Sequence, residues 1–134
     1  MQSDEQLKTT YSVFKEDDLI KLYFLEQVID SDENVRRAEL AREAVYALYA
    51  ENKDKEFKVL VDMTRMGESH ISRKAHKIYL DALKHPQTKK VAIVGNFKKQ
   101  LKVLSFITPF IVGEGKKVTW FANEPEAMLW FEKV

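Results

Sequence analysis

Phe57-Lys58-Val59-Leu60-Val61-Asp62 is the stretch on which the fold turns. It is short, mostly apolar and closed by a carboxylate, the pattern of a strand covered on both faces in a largely parallel sheet. Val91-Ala92-Ile93-Val94, closed by Gly95-Asn96, repeats the pattern, and Val118-Thr119-Trp120-Phe121 gives a third strand.

The segments between and around these runs read as helices. With Asp30 or Ser31 as N-cap and Asp32 and Glu33 in the first turn, Val35, Ala38, Ala41, Val45, Leu48 and Tyr49 recur at helical spacing to about Asn52. A loop holding Gly67 leads to a second helix, which starts near Ser72, buries Ala75, Ile78, Tyr79 and Ala82, and stops before Pro86. Asn96 caps a third, in which Phe97, Leu101, Leu104 and Ile107 or Thr108 share a face up to Pro109. Asn123-Glu124-Pro125 opens a last helix carrying Ala127, Met128, Trp130 and Phe131. Upstream, Tyr11 to Phe14 and Leu19 to Leu25 flank the polar turn Lys15-Glu16-Asp17-Asp18, a hairpin signal. The expected order is ββαβαβαβα: an α/β domain with a mixed sheet of about five strands and four helices joined by right-handed crossovers. Residues 1–10 read as a flexible lead-in and 11–134 as one domain.

The chain's 134 residues suit a single core. It contains no cysteine, which excludes thiolate zinc sites, iron–sulfur clusters and a cysteine nucleophile. Met1 to Thr10 holds no apolar run for a secretory signal, so a cytoplasmic location is expected. The most apolar stretch, Val103 to Val112, spans ten residues, far short of a membrane crossing. The net charge of +1 hides a division: residues 1–56 carry 8 basic and 14 acidic groups, and residues 57–134 carry 14 basic and 7 acidic. The first part is therefore net −6 and the second net +7.

Three segments together resemble the SpoIIAA-like group of the STAS superfamily, also labelled STAS/SEC14 domains. They are Val59-Leu60-Val61-Asp62-Met63-Thr64, Lys90 to Gly95, and the closing run Val118 to Trp130. The resemblance spans about residues 11 to 133, mostly at core and turn positions. It implies a small cytoplasmic, non-enzymatic domain, related in fold to anti-sigma-factor antagonists and lipid-binding CRAL-TRIO domains. Regulatory members carry Asp-Ser-Ser/Thr-Gly at the start of the helix after this strand, where a serine is phosphorylated to switch off partner binding. Here the corresponding residues are Ser69-His70-Ile71-Ser72-Arg73-Lys74, and the motif is absent. Ser72 stands at a helix start, where the N-terminus would stabilise an added phosphate; the plainer reading is an N-cap alone.

Asp62 ends a parallel strand, where open α/β sheets place ligand-binding groups. Thr64, Arg65, Ser69, His70 and Ser72 follow it, and Asn96, Lys98 and Lys99 hold the equivalent place after the next strand. Two helix N-termini with basic residues would then converge on one edge, a site for a small anion such as phosphate or carboxylate. The competing account has Asp62 bonding its own loop and the lysines solvating helix surfaces, since neither a Gly-x-Gly-x-x-Gly loop nor a Walker A lysine is present.

Between Arg65 and Lys117 lie 12 basic and 3 acidic residues, with His70, His76 and His85. Interleaved aromatic platforms are lacking and the acidic half would repel phosphate, so nucleic acid is not expected as a partner. The histidine spacings fit no zinc motif, and the acidic turns lack the glycine and terminal glutamate of an EF-hand; neither a metal nor a cofactor is expected. Asp62, Glu68 and Asp81 form no recognisable acid/base pair, and no catalytic residue is assigned. Val103, Phe106 and Phe110 fall off the face of Leu101 and Leu104, so the third helix has a second apolar side to cover. The last helix with Trp130 and Phe131, a homodimer contact, or an apolar ligand pocket would each cover it. These readings favour a regulatory protein–protein interaction module, with a carrier or sensor of a small anionic or amphipathic, lipid-like ligand as the alternative.

Overall fold

The computed structural model describes residues 2–66, 72–96, 98 and 117–133. Strands β1 (Tyr11–Glu16) and β2 (Leu19–Phe24) form an antiparallel hairpin. β1 runs two residues past the expected Phe14 and leaves Asp17-Asp18 to make the turn. Asp17 sits in the left-handed region at φ 54°, which aspartate tolerates better than most side chains. Strands β3 (Phe57–Asp62), β4 (Thr88–Val94) and β5 (Val118–Phe121) then add in parallel. The spatial order is β1-β2-β3-β4-β5, the same as the order in the chain.

Alternation along the strands divides the core into two layers. Ile20, Leu22, Val59, Val91 and Ile93 point to one face, where they pack with Leu40, Ala41, Val45 and Tyr49 of helix α2 (Ser31–Glu51). Helix α3 (Arg73–Leu83) adds the partly buried Tyr79, Leu80 and Leu83 to that layer. Leu19, Leu60, Ala92 and Val94 point to the other face and meet Ala127 and Phe131 of helix α4 (Glu124–Glu132). β3 and β4 are thus covered from both sides, as their apolar composition requires. α4 lies on the face opposite α2 and α3. Its Trp130 packs against Phe121 and Phe131, while residues 101–112, which it was expected to cover, lie outside the described residues.

Local chemistry fixes the helix starts. Asp30 accepts from the Glu33 N–H (2.9 Å), Ser72 from the Ala75 N–H (3.2 Å) and Asn123 from the Glu126 N–H (3.0 Å). Each satisfies a donor that the first turn leaves open. The N-terminal residues, read from the sequence as a lead-in, carry structure of their own. Ser3 and Gln6 form a capping box around the single turn α1 (Asp4–Leu7), and a 3-10 turn follows over Lys8–Thr10. Leu7 is fully buried, and Asp4 pairs with Arg36 of α2 at 2.8 Å. Leu7, the Asp4–Arg36 pair and the hydrogen bonds of Gln2 to Glu33 (2.6 and 3.3 Å), too sparse to show as periodicity, help dock this segment.

Candidate functional site

Parallel pairing delivers successive loops to one edge of the sheet. Asp62 is level with Val94, and Val94 with Phe121. The ladder continues past the strands through Met63 N–H to Val94 O (2.7 Å) and Gly95 N–H to Phe121 O (3.1 Å). Thr64-Arg65, Asn96 and Asn123 therefore leave the sheet at the same edge. One Asp62 carboxylate oxygen accepts from both the Thr64 N–H (2.8 Å) and the Thr64 hydroxyl (2.6 Å), closing a turn at the strand end. The Ser72 hydroxyl is the α3 cap. Thr64, Arg65, Asn96 and Lys98 are exposed. Ser69, His70, Lys99, Val103, Phe106 and Phe110 lie outside the described residues.

A charged group that the sequence reading passed over sits beneath this edge. Arg37 of α2 is 1 % exposed. It donates to the Glu26 carbonyl (2.6 Å) and the Thr10 hydroxyl (3.5 Å), approaches the Met66 sulfur (3.9 Å), and lies 4.9 Å from the centre of the Phe24 ring. Among the described residues its Nε has no hydrogen-bond partner. Burial pulls the guanidinium pKa down from its ordinary value, and burial likewise pushes the nearby Tyr79 hydroxyl up to about 12. Arg37 thereby ties the N-terminal turn, the β2–α2 loop and the loop after β3 to one point. The signal was present in the sequence: Asn34 and Arg37 fall on the same stripe of α2 as Ala38, Ala41 and Val45, and both are buried.

Between α2, α3 and the sheet lies an apolar cavity of about 110 Å³. Ala41 and Val45 line it from α2, Leu80 and Leu83 from α3, and Val59 and Ile93 from the sheet. Carbon forms nearly all of its wall, so Arg42 and His76 contribute carbon rather than nitrogen to it. Protein interiors leave few voids larger than a water, so an apolar space of this size between packed elements is a feature to account for. No sequence pattern announces such a space, because most residues around it are ordinary core residues.

Among solved structures, the chain is similar to an uncharacterized protein of the DUF3478 family with a SpoIIAA-like fold from Shewanella loihica PV-4. The likeness covers 90% of each chain with a TM-score of 0.59, at 18% sequence identity. The fold is SpoIIAA-like. At that identity the likeness concerns the fold alone. No protein-family model matches the sequence, and no curated protein matches it. The five-strand mixed sheet expected from the apolar runs is thus the sheet of a SpoIIAA-like domain. Among the described residues no helix is long and apolar enough to cross a membrane, and no group of three or more His, Asp or Glu is placed to hold a metal ion.

Proposed function

We propose that this SpoIIAA-like chain is a non-catalytic binding domain whose ligand enters the space between α2, α3 and the sheet. The observation that carries the reading is the cavity of about 110 Å³ in the main core layer. Two further features support a role without chemistry: the Asp62 carboxylate is engaged by Thr64, and the Ser72 hydroxyl caps α3. Native mass spectrometry of protein purified without refolding tests the proposal. A retained small molecule, whose return to stripped protein raises Tm, is the expected result. Stripped and unstripped protein with identical mass and Tm would count against it. An anionic form of the reading uses the edge of Asp62, Thr64, Arg65, Ser72, Asn96 and Lys98; it requires a Tm rise with inorganic phosphate that Arg65→Ala removes.

A second reading, a regulatory module acting through contact with a protein or a second copy of itself, is favoured by exposed apolar side chains. Leu129 on α4 is 62% exposed and Ile29 before α2 is 69% exposed. Sedimentation equilibrium of the chain and of Leu129→Glu tests the self-contact form. Dimer that the substitution dissolves is expected, and a strict monomer in both removes it.

A further inference from the structure

We propose that the core cavity takes a compact, uncharged apolar molecule of about single-ring size, and neither an acyl chain nor an organic anion. The inference rests on the ligand reading above and names its ligand class. Size is the first argument: an engineered protein cavity of about 150 Å³ holds one benzene molecule, and this one measures about 110 Å³. An extended lipid tail would exceed this volume and have to project out of it. The wall is the second argument. The Tyr49 hydroxyl is bonded to the Thr88 hydroxyl at 2.7 Å, and Thr88 donates to the Ala82 carbonyl at 3.0 Å, so these groups are already engaged. Arg37 is not among the lining residues, and its guanidinium packs on the Phe24 ring. A carboxylate in this space would lose its water against a wall that is nearly all carbon, a costly way to bury a charge.

Methyl NMR and thermal melts of the full chain, with benzene, sodium benzoate and sodium decanoate as probes, test the inference. Benzene is expected to shift the methyl signals of Val45, Leu80 and Ile93 and, at about ten times its Kd, to raise Tm by roughly 4 °C. Benzoate and decanoate are expected to leave those signals in place. Ala41→Leu fills the space and abolishes the benzene response; Ala82→Leu, filling it from α3, decides the matter if the first variant does not fold. Movement of the same methyls by benzoate or decanoate, with benzene silent, overturns the ligand class and keeps the ligand reading. Silence of all three probes overturns both. A benzene response that survives in a folded, filled variant overturns the placement.

Discussion

Arg37 is the residue whose removal reaches furthest. It is buried among Phe24, Thr10, the Glu26 carbonyl and Met66, and so combines packing with hydrogen bonds. Arg37→Ala is expected to cost about 3–5 kcal/mol, the range for large-to-small changes at buried sites and for breaking buried charged contacts. Arg37→Met keeps most of the volume and discards the charge, and should recover more than half of that loss in urea denaturation. Equal loss in both would show that the hydrogen bonds, not the packing, hold the three segments together. His76 provides a second test at this scale. Burial lowers its pKa below the ordinary 6.5, so the unfolded chain binds the proton more readily than the folded one. Its contribution is complete above about pH 6.5 and is lost as pH falls through the lowered folded value. Stability followed from pH 7 downward should decline over that interval, and His76→Gln should flatten the decline. The Asp4 carboxyl, held below its ordinary 3.8 chiefly by its hydrogen bond to Arg36, titrates in a separate and more acidic window.

At the scale of elements, the helices are held unequally. α2 buries seven of its residues, whereas among the residues of α3 only Ala75 is fully buried. α3 amides are accordingly expected to exchange with solvent well before those of β3 and the middle of α2, and a ligand in the cavity should slow them selectively. Ser72→Ala removes the α3 cap and should lower stability by about 1 kcal/mol, while Ser72→Asp, which can also cap, should lose much less. Urea melts of the two variants check this.

The same contrast shows which elements the sequence reveals. β5 and the Asn123 start of α4 stand where the sequence reading puts them, and β3 and α2 match it to within a residue, because apolar runs and capping side chains are local signals. β4 begins at Thr88 rather than Val91, since the polar Thr88-Lys89-Lys90 joins the ladder through pairing with β3, which no local pattern encodes. Leu7 and Arg37 went unread for a related reason: one docks a lone turn, and the other is a charge on an apolar stripe. The cavity is harder still, since it depends on how whole side chains meet and not on which ones are present.

For the whole molecule, the charge division gains a spatial meaning. The acidic part of the chain supplies α1, β1, β2 and α2, and the basic part supplies β3 to β5, α3 and α4. Lys58–Asp18 (3.8 Å) and Lys21–Glu124 (3.7 Å) link the two across the sheet. Any self-contact that sets one copy's acidic part against another's basic part must weaken as salt shortens the reach of charge, from about 10 Å at 0.1 M to about 3 Å at 1 M. Sedimentation equilibrium at these two salt concentrations is expected to show less dimer at the higher one. A dimer indifferent to salt would assign the contact to apolar residues such as Leu129.

The strand order has a consequence for how the protein is made. Because every strand lies beside its predecessor in the chain, no position in the sheet has to be held open for a strand not yet synthesised. As the chain leaves the ribosome, the β1–β2 hairpin can close first and offer its free side to β3, and each later strand finds its template already built. A nascent chain halted after β4 would lack an edge of the sheet and not its centre, and the face of Leu19, Leu60, Ala92 and Val94 would stay open until α4 follows.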